Sequence, residues 1–555
     1  METEVVMKIK IILKNQQALE LEFNQRITGE ELFEKIKDHF NYPAYVLLIN
    51  NHYEALDYFL NNQDTVEFLD MSANYAWLVY QNTLLLVYLK AVQEVLGQTR
   101  VEIANSLNQG LYTTIKTNFS KDDVKTIEEH MRAIVDAKLP IKKNPATYKN
   151  IETLSNEDYR KVELLKSLDN LKDINVYTIG DTKEIFYTHL LPNTKYLQYF
   201  ELIPYRNGTI LRYPHPDDPL HLPPYIDQKL LYDAFSEAQH FENLMSVNYV
   251  DDLNNKIISN NYEDLIALEE ALHEKKIAEI ADIIKEKQRR IILICGPSSS
   301  GKTSFAKRLC TQLRVIGLRP LYLGTDDYFL ERTETPVLPN GDKDYESIHA
   351  VDLKLFNNQV NDLLQGKKVD IPIFDFIEGK KHYGQRITSI DKNQPIVIEG
   401  IHALNKKLTW EIPEKEKYKI YISPLTGLNI DSFNRIPTTD ARMLRRIVRD
   451  HRSRGRNAEI TLLDWQKVRD GENEYIFPYT KEADIFFNTN YIYELSVLKK
   501  YAEPLLKEIS AGSKAYPEAQ RILAFLRFFK VIEDDSYIAN NSILREFIGG
   551  SVLVK

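Results

Sequence analysis

Gly296-Pro297-Ser298-Ser299-Ser300-Gly301-Lys302-Thr303 decides the reading of this chain. The stretch fits G-x-x-x-x-G-K-[ST], and its flanks fit as well. Ile291-Ile292-Leu293-Ile294-Cys295 precedes it as a short apolar run, the pattern of a buried strand. Phe305, Leu309 and Leu313 follow it on one helical stripe, and Gly317 marks a helix stop. Strand, small-residue loop and helix in that order make a phosphate cradle. Loop N–H groups point inward at phosphate oxygens, and the helix N-terminus adds partial positive charge. The nucleotide set is therefore Gly296, Ser298, Ser299, Ser300, Gly301, Lys302, Thr303 and Ser304. Lys302 reaches the outer phosphates and Thr303 offers its hydroxyl to Mg²⁺. A Gly/Ser-rich turn that binds nothing is the competing reading, and both flanks argue against it. The loop specifies a nucleoside triphosphate; by itself it does not specify a kinase.

Around this loop lies a long chain of 555 residues, enough for roughly three or four domains. Its 43% hydrophobic and 27% charged residues are ordinary for a soluble globular protein. A net charge of -9 argues against broad, nonspecific nucleic-acid binding, while leaving room for a local basic site. The 2 cysteines, Cys295 and Cys310, flank the loop in strand and helix and read as core residues. No disulfide framework or C-x-x-C pair is present, which points to a reducing compartment. Leu84 to Leu89 is cut short by Lys90, and no apolar run reaches the ~18 residues of a membrane helix. A cytoplasmic protein is expected.

Residues 1–72 read as one unit. Lys8–Leu13 and Ala18–Phe23 form a strand pair joined by Asn15-Gln16-Gln17, and Thr28 caps a helix with Glu31 as its capping-box partner. Tyr45–Ile49 and Thr65–Leu69 are further strands. This β-β-α-β-β order resembles the ubiquitin-like β-grasp TGS domain at the front of threonyl-tRNA synthetases. In residues 73–213, Val101 to Tyr112, Val124 to Leu139, Leu191-Pro192-Asn193-Thr194 and Leu211-Arg212-Tyr213-Pro214 resemble the second N-terminal, α+β domain of the same enzymes. In those synthetases the domain hydrolyses mischarged tRNA with a histidine pair and a Cys/His pair. Here the corresponding segments read Asn82-Thr83-Leu84-Leu85-Leu86 and Phe186-Tyr187-Thr188-His189-Leu190. His189 alone cannot supply a four-ligand site, so the scaffold is expected without its chemistry.

Residues 214–288 open on five prolines between Pro214 and Pro224, the mark of a linker or extended arm. An amphipathic helix follows, with Leu265, Leu268, Leu272, Ile280, Ile283 and Ile284 on its apolar face. Residues 289–510 alternate short apolar strands with helices: after the loop strand come Leu321-Tyr322-Leu323, Ile396-Val397-Ile398, Tyr418–Ile422 and Ala483–Phe487. That pattern predicts a parallel sheet covered on both faces, with active groups at the carboxyl ends of its strands. Residues 511–555 form a tail with Ile522, Leu523, Leu526 and Phe529 on a helix face, packed back on the body.

Chemistry-bearing residues fall where such a sheet would put them. Asp326 and Asp327 follow the strand ending at Leu323-Gly324, and Glu399 follows Ile396-Val397-Ile398. Arg442, Arg445, Arg446, Arg449, Arg452, Arg454 and Arg456 form a stripe whose mutual repulsion an anion would offset, so it reads as a phosphate clamp. Taken in order, Gly296–Thr303, Thr325-Asp326-Asp327-Tyr328-Phe329, Ile371–Phe376, Ile398-Glu399-Gly400-Ile401 and Arg445–Arg456 resemble the uridine kinases and their phosphoribulokinase relatives. The order and gaps agree over roughly two hundred residues, far more specifically than one motif does. The joint arrangement resembles a bacterial family of nucleoside kinases. The fold class implied is a multidomain α/β and α+β chain whose P-loop parallel α/β kinase domain follows the β-grasp and synthetase-like units.

The resemblance implies residue roles. Asp326 matches the family's catalytic aspartate, Glu399 and Thr303 the Mg²⁺ holders, and Arg449, Arg454 and Arg456 the lid arginines, with Arg446 beside them. Lys302 completes the catalytic set. Phe374 and Phe376 match aromatic positions of the base pocket, with Tyr328 in the acceptor set. Three departures stand out. Tyr345-Glu346-Ser347-Ile348-His349 has Glu346 where the family's ribose-binding aspartate falls, the family's base-reading histidine falls at Gly379, and a family glutamine falls at about Asp464. The leading expectation is an ATP-dependent kinase acting on a hydroxyl of a nucleoside or small polyol. The alternatives are a kinase of a non-nucleoside sugar, or an RNA- or ribosome-associated nucleotide switch that binds RNA through residues 1–213. The oligomeric state stays open.

Overall fold

The computed structural model describes residues 7–14, 17–154, 159–338 and 341–554. The turn residues Asn15 and Gln16 lie outside the described residues.

The front of the chain builds a mixed sheet in which Met7–Ile12 pairs antiparallel with Ala18–Phe23 and parallel with Thr65–Leu69. Val46–Ile49 and the short His52–Glu54 complete it; the latter strand was not expected from the sequence. Strand Met7–Ile12 alternates buried and exposed residues, the signature of a sheet with one covered face. The covering helix, Gly29–Ile36, starts as its sequence dictates. Thr28 caps it, and Glu31 returns a hydrogen bond to the Thr28 N–H at 2.8 Å.

Helix Asn74–Leu96 runs next and is buried along most of its length, its apolar run Leu84–Leu89 serving as core. Two further sheets flank it. One joins Val101–Leu107, Gly110–Ile115, Gly208–Arg212 and Glu201–Tyr205; the other joins Lys142–Pro145, Asn175–Ile179 and Thr182–Phe186. A single hydrophobic core extends from Met7 to Tyr213, so the first two units pack as one body. Among the described residues no helix is long and apolar enough to cross a membrane.

After the proline-rich arm come three helices, Lys229–Met245, Val250–Ile258 and Tyr262–Glu286, of which only the last was legible in the sequence. Its buried face differs from the expected stripe. Leu265, Glu269, His273, Ile277, Ile280 and Ile284 are buried, and Leu268 is exposed. The face is rotated because Glu269 accepts the Ile492 N–H at 3.2 Å and His273 meets the Asn490 carbonyl at 3.2 Å, tying the helix to the loop beyond the last strand.

Among the described residues, five strands form the second large sheet, in the order Leu321–Gly324, Ile396–Glu399, Ile291–Cys295, Lys417–Ser423, Ile485–Asn488, all parallel. The loop strand is fully buried at its centre, as its unbroken apolar run requires. This is a parallel sheet with the phosphate-loop strand at its centre. The carboxyl ends of its three neighbouring strands Leu321–Gly324, Ile396–Glu399 and Ile291–Cys295 face one cleft. The tail packs back as expected: helix Tyr516–Leu526 buries Ile522 and Leu526, and its Arg521 pairs with Asp440 of helix Thr438–Arg454 at 2.8 Å.

Candidate active site

The phosphate loop turns sharply from strand to helix. A Cβ at Gly296 would collide with the Ile422 carbonyl oxygen, so only glycine lets the loop lie against the neighbouring strand. Gly301 sits at φ 83° and caps helix Lys302–Val315 in the left-handed conformation. Lys302 Nζ donates to the Pro297 carbonyl at 3.2 Å, folded back across the mouth of its own loop.

Glu399, at the end of its strand, accepts the Thr303 hydroxyl at 3.0 Å and the Tyr322 hydroxyl at 3.2 Å, both on Oε1. Its Oε2 is buried with no hydrogen-bond partner. Burial raises the Glu399 carboxyl to about 7, Lys302 opposing the shift and Asp326 adding to it. An orphaned carboxylate oxygen beside a hydroxyl is the oxygen-only donor set that Mg²⁺ takes, so these residues fit the ion.

Of the two neighbouring aspartates, Asp327 is held by Arg386, while Asp326 opens into the cleft. Desolvation by the cleft walls raises the Asp326 carboxyl; Asp327 pushes the same way, and Lys302, Arg454 and Arg449 oppose it. Glu346 stands across the cleft, raised to about 7 chiefly by burial, with Arg446 opposing and Glu472 adding. A Cβ on Gly471 would lie 2.6 Å from that of Glu346, so Gly471 makes the room this longer carboxylate needs.

An aromatic wall stands beside it. Phe374 and Phe376 meet edge-on at 5.0 Å, and Phe329 lies 5.8 Å from each. Phe374 is buried in the core and Phe376 is exposed. Tyr328 departs from its expected place: its ring is buried against Phe356 and its hydroxyl donates to Gln359 at 2.9 Å, which removes it from the cleft. The space over Gly379 is filled by Arg332. A Cβ there would lie 2.7 Å from Arg332 Cβ, and the guanidinium donates to the Phe376 and Ile377 carbonyls at 2.8 and 2.9 Å.

The arginine stripe needs correction as well. Its charge is largely met inside the protein, so no anion is required to offset it. Arg442 pairs with Glu472 and Arg445 with Glu494, all four fully buried, and Arg456 pairs with Asp464. Arg446, Arg449 and Arg454 share Asp450. Arg446 also donates to the Ser298 hydroxyl at 2.7 Å, which places it on the loop. Ser304, expected among the nucleotide donors, is engaged by Glu546 of the tail. Sequence reasoning missed Arg386, Arg332, Glu472 and Glu546. None lies in a recognisable motif, and each acts through a partner distant along the chain.

In residues 73–213, His189 Nδ1 lies 2.9 Å from the Tyr75 hydroxyl. Burial pushes its imidazole down to about 3, so it stays neutral and serves as a packed hydrogen-bonding residue.

Parallel sheet, phosphate loop and facing carboxylates give the carboxyl-terminal half the P-loop kinase fold. Residues 291–493 match the model of the phosphoribulokinase / uridine kinase family. A uridine kinase of Ligilactobacillus salivarius is 27% identical over 202 residues, 36% of this chain and 85% of that protein. A uridine kinase of Macrococcus caseolyticus is 29% identical over 196 residues, 35% of this chain and 85% of that one. A solved structure described as a possible uridine kinase from Bacillus stearothermophilus is 20% identical, with a TM-score of 0.25, covering 36% of this chain and 89% of that one.

Proposed function

We propose that the protein transfers the terminal phosphoryl group of ATP to a hydroxyl of a nucleoside or a related small polyol. One observation carries the reading: Asp326 and Glu399 at adjacent strand ends meet Lys302 and Thr303 at the start of the loop helix, with the carboxyls of both acids raised by burial. Asp326 has Asp327 fixed by Arg386 behind it, which leaves it as the group that takes the acceptor's proton. The acceptor oxygen attacks the terminal phosphorus, the new O–P bond forms, the bond to the leaving diphosphate breaks, and the proton passes to Asp326. Lys302 exchanges the Pro297 carbonyl for the outer phosphates, and Arg446, already on the Ser298 hydroxyl, would be joined there by Arg449, Arg454 and Arg456 as the expected lid cations. Thr303 and Glu399 would hold Mg²⁺, which when bound neutralises phosphate charge. Glu346 accepts hydrogen bonds from vicinal hydroxyls, and the exposed Phe376, backed by the buried Phe374, offers a stacking face.

The β-grasp and synthetase-like readings of residues 1–72 and 73–213 belong to the same proposal, as do the unit boundaries at 214, 289 and 511. ADP release from purified protein, measured against a panel of nucleosides and polyols with and without RNA, tests the function. Stimulation by a small hydroxylated compound is expected; stimulation by RNA alone would replace the kinase with a nucleotide switch.

A further inference from the structure

Glu546 lies beyond residue 493, outside the family-matched segment, yet it reaches into the phosphate loop. Its Oε2 accepts both the Ser304 N–H at 3.2 Å and the Ser304 hydroxyl at 2.6 Å. Ser304 stands in the first turn of the helix that opens on Gly301. First-turn N–H groups have no intrahelical partner, and they are the donors that bound anions take. In a loop of this kind the backbone N–H groups cradle the phosphates nearest the nucleoside, while the lysine serves the outer ones. The glutamate carboxylate, only 8% exposed, thus puts a negative charge and an acceptor oxygen where an inner phosphate would put its own.

The contact is part of a seated segment. Ile543 packs on Gly301 so closely that a Cβ there would collide with it. Arg452 of the arginine helix donates to the Phe547 and Glu546 carbonyls at 3.1 and 3.0 Å, and Lys307 Nζ donates to the Leu553 carbonyl at 2.6 Å. The segment therefore touches the loop, the helix behind it and the arginine helix at once.

We propose that Glu546 is an internal anion holding the inner-phosphate position, and that the donor seats fully only when the C-terminal segment lets go of Ser304. The proposal rests on the nucleotide-kinase reading above. It differs from a purely structural cap in the sign of one effect: a cap stabilises and leaves nucleotide affinity alone, whereas a competitor weakens it.

The test uses the full chain. Equilibrium dissociation constants for ATP and ADP are measured with Mg²⁺ for the wild type, Glu546→Gln and Glu546→Ala. Hydrogen exchange of residues 538–554 is followed in the wild type with and without ATP. Glu546→Ala should bind ATP tighter by about tenfold or more, the scale of a charge-assisted hydrogen bond that no longer competes. Glu546→Gln should fall between, and exchange in the segment should rise when ATP is added. Unchanged or weaker ATP binding by a variant that melts like the wild type overturns the proposal. So does segment exchange that ATP leaves unchanged or slows, which decides the matter if the variants fail to fold. If neither wild type nor variants bind a nucleoside triphosphate while melting cooperatively, the kinase reading itself falls, and this inference with it.

Discussion

Arg386 closes on Asp327, its Nη1 donating to Oδ2, and this pairing leaves the adjacent Asp326 as the carboxylate of the pair that faces the cleft. Two neighbouring aspartates with the same sequence context thereby acquire different roles.

Asp326→Asn should keep ATP binding and lower turnover by about 10²–10⁴-fold, the range for losing a general base. Asp327→Asn should instead lower the melting temperature, by about 1 kcal/mol of stability, and leave turnover within a few-fold. Lys302→Ala should cost turnover roughly 10²–10³-fold through loss of one preorganised cation. Steady-state kinetics with thermal melts separates the three; near-normal turnover in Asp326→Asn would reassign the base.

Glu399 gives a pH prediction with two opposite signs. Metal binding needs its ionised form, and its carboxyl is raised to about 7. Mg²⁺ affinity should therefore fall roughly fivefold from pH 7 to pH 6, following the ionised fraction. Stability without metal runs the other way. The folded carboxyl keeps a proton that the unfolded one, at its ordinary 4.5, has released, so this contribution falls as pH rises from 4.5 to about 7. Glu399→Gln should flatten both trends. Mg²⁺ titrations and melts between pH 5.5 and 8 provide the measurement, and an unaltered pH profile in the variant would exclude Glu399 as the titrating group.

Residues 73–213 should neither bind stoichiometric Zn²⁺ nor deacylate mischarged tRNA. His189 is engaged with Tyr75 and the segment around it has no cysteine. Metal analysis of the purified protein and a deacylation assay check this. Deacylation that survives Lys302→Ala and disappears on deletion of the region would overturn it.

Acceptor choice should be loose toward the base. Gly379 has no side chain, Arg332 over it is committed to two backbone carbonyls, and an aromatic face stacks on any base. Uridine should be favoured over adenosine or inosine by less than about a hundredfold in kcat/KM, equivalent to ~2.7 kcal/mol. A larger preference would show that another side chain reads the base edge.

Much of the carboxyl-terminal half was legible because its signals are local. The apolar run Ile291–Cys295, the loop and the helix stripe each declare themselves within a few residues, and the strand ends then locate Asp326 and Glu399. What escaped the sequence is set by partners far along the chain. Arg442 and Arg445 look like free charges until Glu472 and Glu494 arrive from other helices. Tyr328 belongs to a motif but turns inward, because the pocket beside Phe356 and Gln359 accepts it. Helix Lys229–Met245 buries only Ala234 and Phe235 among its apolar residues, so its periodicity is weak, and Val250–Ile258 is only 9 residues long, too short for its apolar stripe to stand out.

The two buried pairs of helix Thr438–Arg454 also set how that helix can move. Arg442 and Arg445 are clamped at its first half by carboxylates with no solvent around them, and separating such a pair without a replacement is strongly unfavourable. The helix therefore cannot swing as a rigid rod about its start. The stretch after Arg446 lacks such fully buried pairs, and Gly455, in the left-handed conformation, ends the helix. In the proposed kinase, any rearrangement toward a donor would then fall to side chains of the second half, such as Arg449 and Arg454, while the half nearest the loop stays fixed.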